Sequence, residues 1–131
     1  MFLKYTKWAM LWALLILFLC GMPGSDIPHI SFLELLSFDK FVHAGIFFVL
    51  FLLMARGFEL QSNYGFLQRS PLAYAFLISV IYGGLLEVMQ DLVFEERSAD
   101  VFDFIANSFG CLLGLLFYKK AKQLFLGRLI N

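Results

Sequence analysis

Four apolar stretches, at about residues 7–22, 38–58, 71–93 and 99–118, fill most of the chain, with short polar breaks between them. A helix that crosses the hydrocarbon core of a bilayer needs roughly 17–25 mostly apolar residues. The last three stretches meet that length, and the first, which stops at Pro23-Gly24, just falls short of it. Polar positions are few within these stretches. They concentrate at or just inside the ends, as Asp39, Lys40, His43, Glu87, Gln90, Arg97, Asp100, Asp103 and Asn107. A charge at the centre of a spanning helix costs about 2.5–3.5 kcal/mol on insertion scales, so ionisable residues there are candidates for function. The pattern predicts an all-α integral membrane bundle of four transmembrane helices, folded as a single domain over residues 1–131.

Composition sharpens this. The 131 residues are 61% hydrophobic and 15% charged, with a mean hydropathy of +0.82. Soluble domains average about 45–50% apolar and about 25% charged residues, and a chain this short has no core large enough for the excess. Net charge is zero, with no basic stripe, which argues against nucleic acid as a partner. Cys20 and Cys111 both fall inside apolar stretches and read as small hydrophobes rather than a disulfide or metal motif. Lys4 and Lys7 before an apolar run resemble the start of a signal peptide. Leu17-Phe18-Leu19-Cys20 lacks the small residues that precede a cleavage site, so an uncleaved helix is expected.

The basic residues set an expected orientation. Lys4 and Lys7 precede the first span, Arg56 and Arg69 flank the connection between spans two and three, and Lys119, Lys120, Lys122 and Arg128 follow the fourth. The positive-inside rule makes these segments, and so both termini, cytoplasmic. Loops at about residues 23–38 and 94–98 then face outward. These loops and the adjoining span ends carry Asp26, Glu34, Asp39, Glu87, Asp91, Glu95, Glu96, Asp100 and Asp103, which leaves Glu59 as the cytoplasmic acid. In the first outer loop, Ile30, Phe32, Leu33 and Leu36 predict one or two interfacial amphipathic turns. His29 reads as a solvated loop residue.

Helical spacing groups the polar residues. Asp39 and His43 are four apart and can meet, Glu87 shares a face with Gln90 and Asp91, and Asp100, Asp103 and Asn107 form one stripe. Asp39 could equally be a cap, with Lys40 snorkelling to the interface. Asn107 could equally bond one helix to another. Gly83 and Gly84 permit close helix approach, and Ala106, Gly110 and Gly114 form a small-residue seam. Arg97 is placed to bind a carboxylate or a phosphate in a bidentate fork. Spans two and four start, and span three ends, at the same outward depth, so the three helices predict one shared polar site.

In order, Asp39-Lys40-x-x-His43-x-x-x-Phe47, Glu87-x-x-Gln90 and Arg97-x-x-Asp100-x-x-Asp103-x-x-x-Asn107-x-x-Gly110-x-x-x-Gly114 resemble the VanZ-like family. The resemblance runs from the first span to the end of the fourth. It implies a small, multi-pass bacterial protein of the cytoplasmic membrane and cell envelope. The family takes its name from a member associated with teicoplanin resistance, a glycopeptide antibiotic phenotype. The resemblance supplies neither a reaction nor catalytic residues.

Three functions fit these observations. The first is binding or modification of an amphipathic or lipid-linked ligand. Asp39, His43 and Glu87 would then be the acid/base candidates, and Lys40, Gln90, Arg97, Asp100, Asp103 and Asn107 the ligand-binding ones. The second is a non-catalytic scaffold or ion-coupled helper for a membrane-protein partner, in which the polar stripe specifies packing. The third is a metal-assisted hydrolase or phosphotransferase. Glu87, Asp100 and Asp103 would offer oxygens to a divalent cation, and His43 could assist Zn²⁺. The sequence has no HExxH, GxSxG or phosphate-loop motif, and no cofactor is evident from it.

Overall fold

The computed structural model describes residues 2–20, 32–92 and 101–130. Six α-helices appear in it: α1 (Phe2–Cys20), α2 (Phe32–Glu59), α3 (Gly65–Arg69), α4 (Pro71–Leu92), α5 (Val101–Ala121) and α6 (Gly127–Leu129). A π-helical turn, Lys122–Leu126, joins the last two. No strand occurs among the described residues. His29, Arg97 and Asp100 lie outside the described residues, as do the side chains of Cys20, Asp39 and Gln90.

Among the described residues, three helices are long and apolar enough to cross a membrane: Lys40–Glu59 in α2, Pro71–Met89 in α4, and Val101–Leu124, which runs from α5 into the π turn. These correspond to the second, third and fourth expected spans. The expected fourth crossing, α1, is not among them. The described part of α1 stops at Cys20, and residues 21–31 lie outside the described residues. The interfacial turns expected around Phe32, Leu33 and Leu36 are helical, and they belong to α2 itself rather than to a separate element.

α2 is the central helix. Of its spanning segment 56% is buried, against 28% for α4 and 39% for α5, and its largest interface is with α5. The other faces of α4 and α5 point outward and are apolar. Leu77, Ile81, Leu85 and Val88 make one exposed stripe, and Phe102, Ile105, Phe109 and Leu116 another. This outward apolar surface is what lipid, rather than water, would cover.

Small residues set how closely the helices approach. A Cβ at Gly110 would collide with the backbone carbonyl of Ala44, and one at Gly114 would strike the Phe51 ring. Gly110 and Gly114 therefore lie in the α2–α5 contact. Gly57 allows the same closeness between α2 and α1, where a Cβ would lie 2.7 Å from the Tyr5 carbonyl oxygen.

Cross-helix pairs give the directions. Tyr5 lies beside Gly57, while Trp12 Nε1 donates to the Ile46 carbonyl at 2.9 Å, so α1 runs antiparallel to α2 over much of its length. The Tyr82 hydroxyl donates to the Ala13 carbonyl and ties α1 to α4. At the far end, Arg56 Nε donates to the Ile130 carbonyl at 3.0 Å. The first and last described helices therefore reach the same end of the bundle. At that end Glu59 accepts from Arg56 at 3.0 Å, from the Tyr118 hydroxyl at 2.7 Å and from Lys122 at 2.6 Å.

Candidate functional site

The polar cluster forms at the opposite end of α2, roughly 24 Å from Glu59 at the helical rise. His43 on α2, Glu87 on α4 and Asp103 on α5 each offer a ligating atom, and the three atoms lie within 4.8 Å of one another. All three residues are buried, at 7%, 6% and 8% exposure. Antiparallel α4 brings Glu87 to the level of His43, and parallel α5 brings Asp103 to the same level.

Hydrogen bonds orient the groups. His43 Nδ1 lies 2.9 Å from Asn107 Oδ1, a carbonyl oxygen that can only accept, so the ring donates through Nδ1–H. In the neutral ring this leaves the lone pair on Nε2, which faces Asp103 Oδ2 at 3.8 Å. The other oxygen of Asp103, Oδ1, pairs with the Lys40 ammonium. Asp103 thus divides its two oxygens between a lysine and a histidine. Lys40 and His43 stand one turn apart on α2, and Asp103 and Asn107 one turn apart on α5, so two i, i+3 or i, i+4 pairs mesh across one interface.

Apolar and small residues surround these contacts. Phe47 is fully buried one turn below His43, with its ring centroid 6.2 Å from that of Tyr82. Gly83 leaves room for both Phe47 and Asn107: a Cβ there would stand 3.3 Å from the Asn107 amide nitrogen and 3.3 Å from Phe47 Cε1. Gly84 faces the Phe104 ring in the same way. Each glycine thus leaves room for a side chain of α5, and Gly83 also makes space for the amide that orients His43.

Of the sequence-derived site residues, the structure gathers Lys40, His43, Glu87, Asp103 and Asn107. Asp91, expected on the Glu87 face, is exposed. The expected Asp39–His43 contact and the placements of Gln90, Arg97 and Asp100 fall outside the description.

The Arg56–Glu59–Tyr118–Lys122 network did not emerge from sequence reasoning. Its signal was present: Glu59 is the one acid among the basic residues at that end, and a half-buried carboxylate there needs cations. Trp12 and Tyr82 were also overlooked. An indole N–H or phenol O–H in the middle of an apolar stretch must find an acceptor, and a backbone carbonyl serves.

An apolar groove runs beside the cluster on the outer surface of α2 and α5. One part, about 680 Å³, is lined by Lys40, Phe41, Ala44, Phe102, Ala106 and Phe109 among others. A second hollow of about 390 Å³ shares Phe41, Ala44 and Phe109 and extends to Leu113 and Phe117. Lys40, at the polar end of this trough, is also the partner of Asp103. The polar cluster and the groove are thus joined through one side chain.

No curated protein and no solved structure matches the chain. The family model described as VanZ/LLP1 matches residues 2–126, almost the entire sequence. The match covers all the membrane-spanning segments, and the chain belongs to the VanZ/LLP1 family.

Proposed function

We propose that this chain is a bacterial cytoplasmic-membrane protein of the cell envelope that binds or modifies an amphipathic, lipid-linked ligand. The apolar tail would lie in the α2–α5 groove and the head group at the polar cluster. The supporting observation is the continuity between the two through Lys40. The groove volume is within the roughly 300–1,000 Å³ of small-molecule sites. A resistance phenotype of the teicoplanin type is one consequence such an activity could have in a cell envelope.

In this reading both termini are cytoplasmic and α1 is a fourth crossing. Apart from Lys40 and Arg97, every lysine and arginine belongs to the segments placed inside by the positive-inside rule. The antiparallel course of α1 against α2 supports the fourth crossing, and the shared end of the first and last helices supports a common side for the termini. The polar cluster then faces the outer leaflet.

The test is photo-crosslinking. A benzophenone amino acid at Phe109, within the groove, is compared with one at Leu77, on the exposed face of α4. In vesicles containing undecaprenyl phosphate among ordinary phospholipids, Phe109 should enrich the polyprenyl species over its bulk fraction, and Leu77 should sample lipid in proportion. Ala106→Trp, which fills the groove, should abolish the enrichment. Equal sampling by both positions would overturn the reading.

A second reading, a scaffold whose polar stripe specifies packing for a membrane-protein partner, is favoured by the fit of Gly110 against Ala44 and by the Asn107–His43 bond across the same interface. Folded variants of the cluster that keep full lipid selectivity would favour it.

A further inference from the structure

We infer that His43 Nε2, Glu87 and Asp103 Oδ2 form a binding site for a divalent transition-metal cation of the Zn²⁺ type. The inference deepens the reading of the polar cluster as a ligand site, but it does not require the groove to hold a lipid.

Geometry carries the argument first. One ligating atom from each of the three residues, on three helices, lies within 4.8 Å of the others, and His43 Nε2 stands 3.8 Å from Asp103 Oδ2. Three atoms so constrained stand at most about 2.8 Å from a common centre, and Zn²⁺ takes nitrogen and oxygen ligands at about 2.0–2.2 Å. Side-chain torsions need to draw each donor inward by only about half an ångström, with the helices fixed.

The orientation of the histidine is the second argument. A ligating histidine donates its other ring N–H to a second group, which fixes the tautomer and the ring plane. Asn107 Oδ1 takes that position on Nδ1, so the nitrogen directed toward the carboxylate is the one able to ligate. Asp103 is held in a comparable way. The bond from Lys40 engages Oδ1 and leaves Oδ2 on the side of the imidazole. Both outer partners are therefore in place around the donors.

Donor chemistry and burial supply the third. One imidazole nitrogen and two carboxylate oxygens suit a borderline cation better than Ca²⁺ or Mg²⁺, which prefer oxygens alone. Surface acids attract cations loosely, whereas these three residues are each more than nine-tenths buried. Three protein donors leave a fourth position on a tetrahedral ion for water or a ligand oxygen, the arrangement of reactive rather than purely structural zinc sites. Such an ion would attract the phosphate or carboxylate oxygens of an anionic head group. Neither Gln90 nor Cys111 is needed for the donor set.

The experiment uses the full chain, purified in detergent, stripped with chelator and re-equilibrated with Zn²⁺ or with Co²⁺ as a spectroscopic probe. Elemental analysis should find one metal per chain, and Co²⁺ should give visible ligand-field bands without sulfur-to-metal charge transfer. Glu87→Gln, nearly isosteric, and His43→Ala should each lower affinity at least tenfold. Asn107→Leu should weaken it by about 10–100-fold, as for other outer-shell partners. Groove-filling Ala106→Trp should retain the metal, so that loss of lipid selectivity and loss of metal are separate results. The inference is overturned if the wild-type chain takes up no stoichiometric metal, if Glu87→Gln binds it as tightly, or if the Co²⁺ spectrum matches that of the hydrated ion. Because the stoichiometry and the spectrum are read on the wild-type chain, a variant that fails to fold does not remove the test.

Discussion

Asn107 on α5 accepts a hydrogen bond from His43 on α2 at 2.9 Å, in a place where both side chains are shielded from solvent. This contact aligns the α2–α5 interface and fixes the face that the imidazole turns to Asp103. A buried donor that loses its acceptor retains its full desolvation penalty, about 1–3 kcal/mol. Asn107→Leu should therefore lower the stability of the folded bundle by about that amount. Thermal unfolding in detergent is the measurement, and a change within experimental scatter would show that the bond contributes nothing.

Close approach gives a sharper test. Gly110→Ala places a methyl group against the Ala44 backbone, which has no side chain to rotate away. Overpacking of this kind costs about 1–3 kcal/mol. Gly45 is the control on the same helix pair, because a Cβ there meets nothing within 4 Å. Gly45→Ala should be neutral or stabilise by up to about 1 kcal/mol, from helix propensity. Equal effects at the two positions would contradict the packing described.

Glu59 gathers Arg56, Tyr118 and Lys122 and so links the end of α2 to α5 and the π turn. Glu59→Gln removes the charge while preserving size. Hydrogen bonds to a charged group contribute about 1.5–3 kcal/mol each, less where water reaches them. Hydrogen exchange should accelerate in residues 122–130, with the Asn107 region unaffected. Uniform acceleration along the chain would show that this network is not a local clamp.

The course of α1 predicts topology. Trp12→Phe deletes the donor to Ile46 but keeps an aromatic ring, and should cost about 0.5–1.5 kcal/mol. Reporter tags at the two termini of the native chain should be accessible from the same side of the membrane, the cytoplasmic one. Tags on opposite sides would show that α1 packs against the bundle without completing a crossing.

Much of the chemistry was legible along the chain. Membrane residence follows from transfer free energies that add residue by residue, and so do the three long helices. The shared face of Asp103 and Asn107, four residues apart, follows from helical spacing alone, as does the small-residue seam through Gly110 and Gly114. The status of α1 was less legible, because two early lysines shorten an otherwise apolar run and local hydropathy cannot register what the helix packs against. The network around Glu59 was also hidden, since its members are distant in sequence and share no period.

The sequence by itself determined the solvent, the helical class and which side chains share each helix face, because those properties depend on nearest neighbours and on a fixed 3.6-residue turn. Only the tertiary structure decided that His43, Glu87 and Asp103 converge, that Asn107 engages His43 Nδ1, and that Lys40 joins this cluster to an apolar groove. Those facts depend on how each helix is rotated and slid against its neighbours. That register is set where backbone meets backbone, at Gly110 and Ala44, and no local property of the chain encodes it.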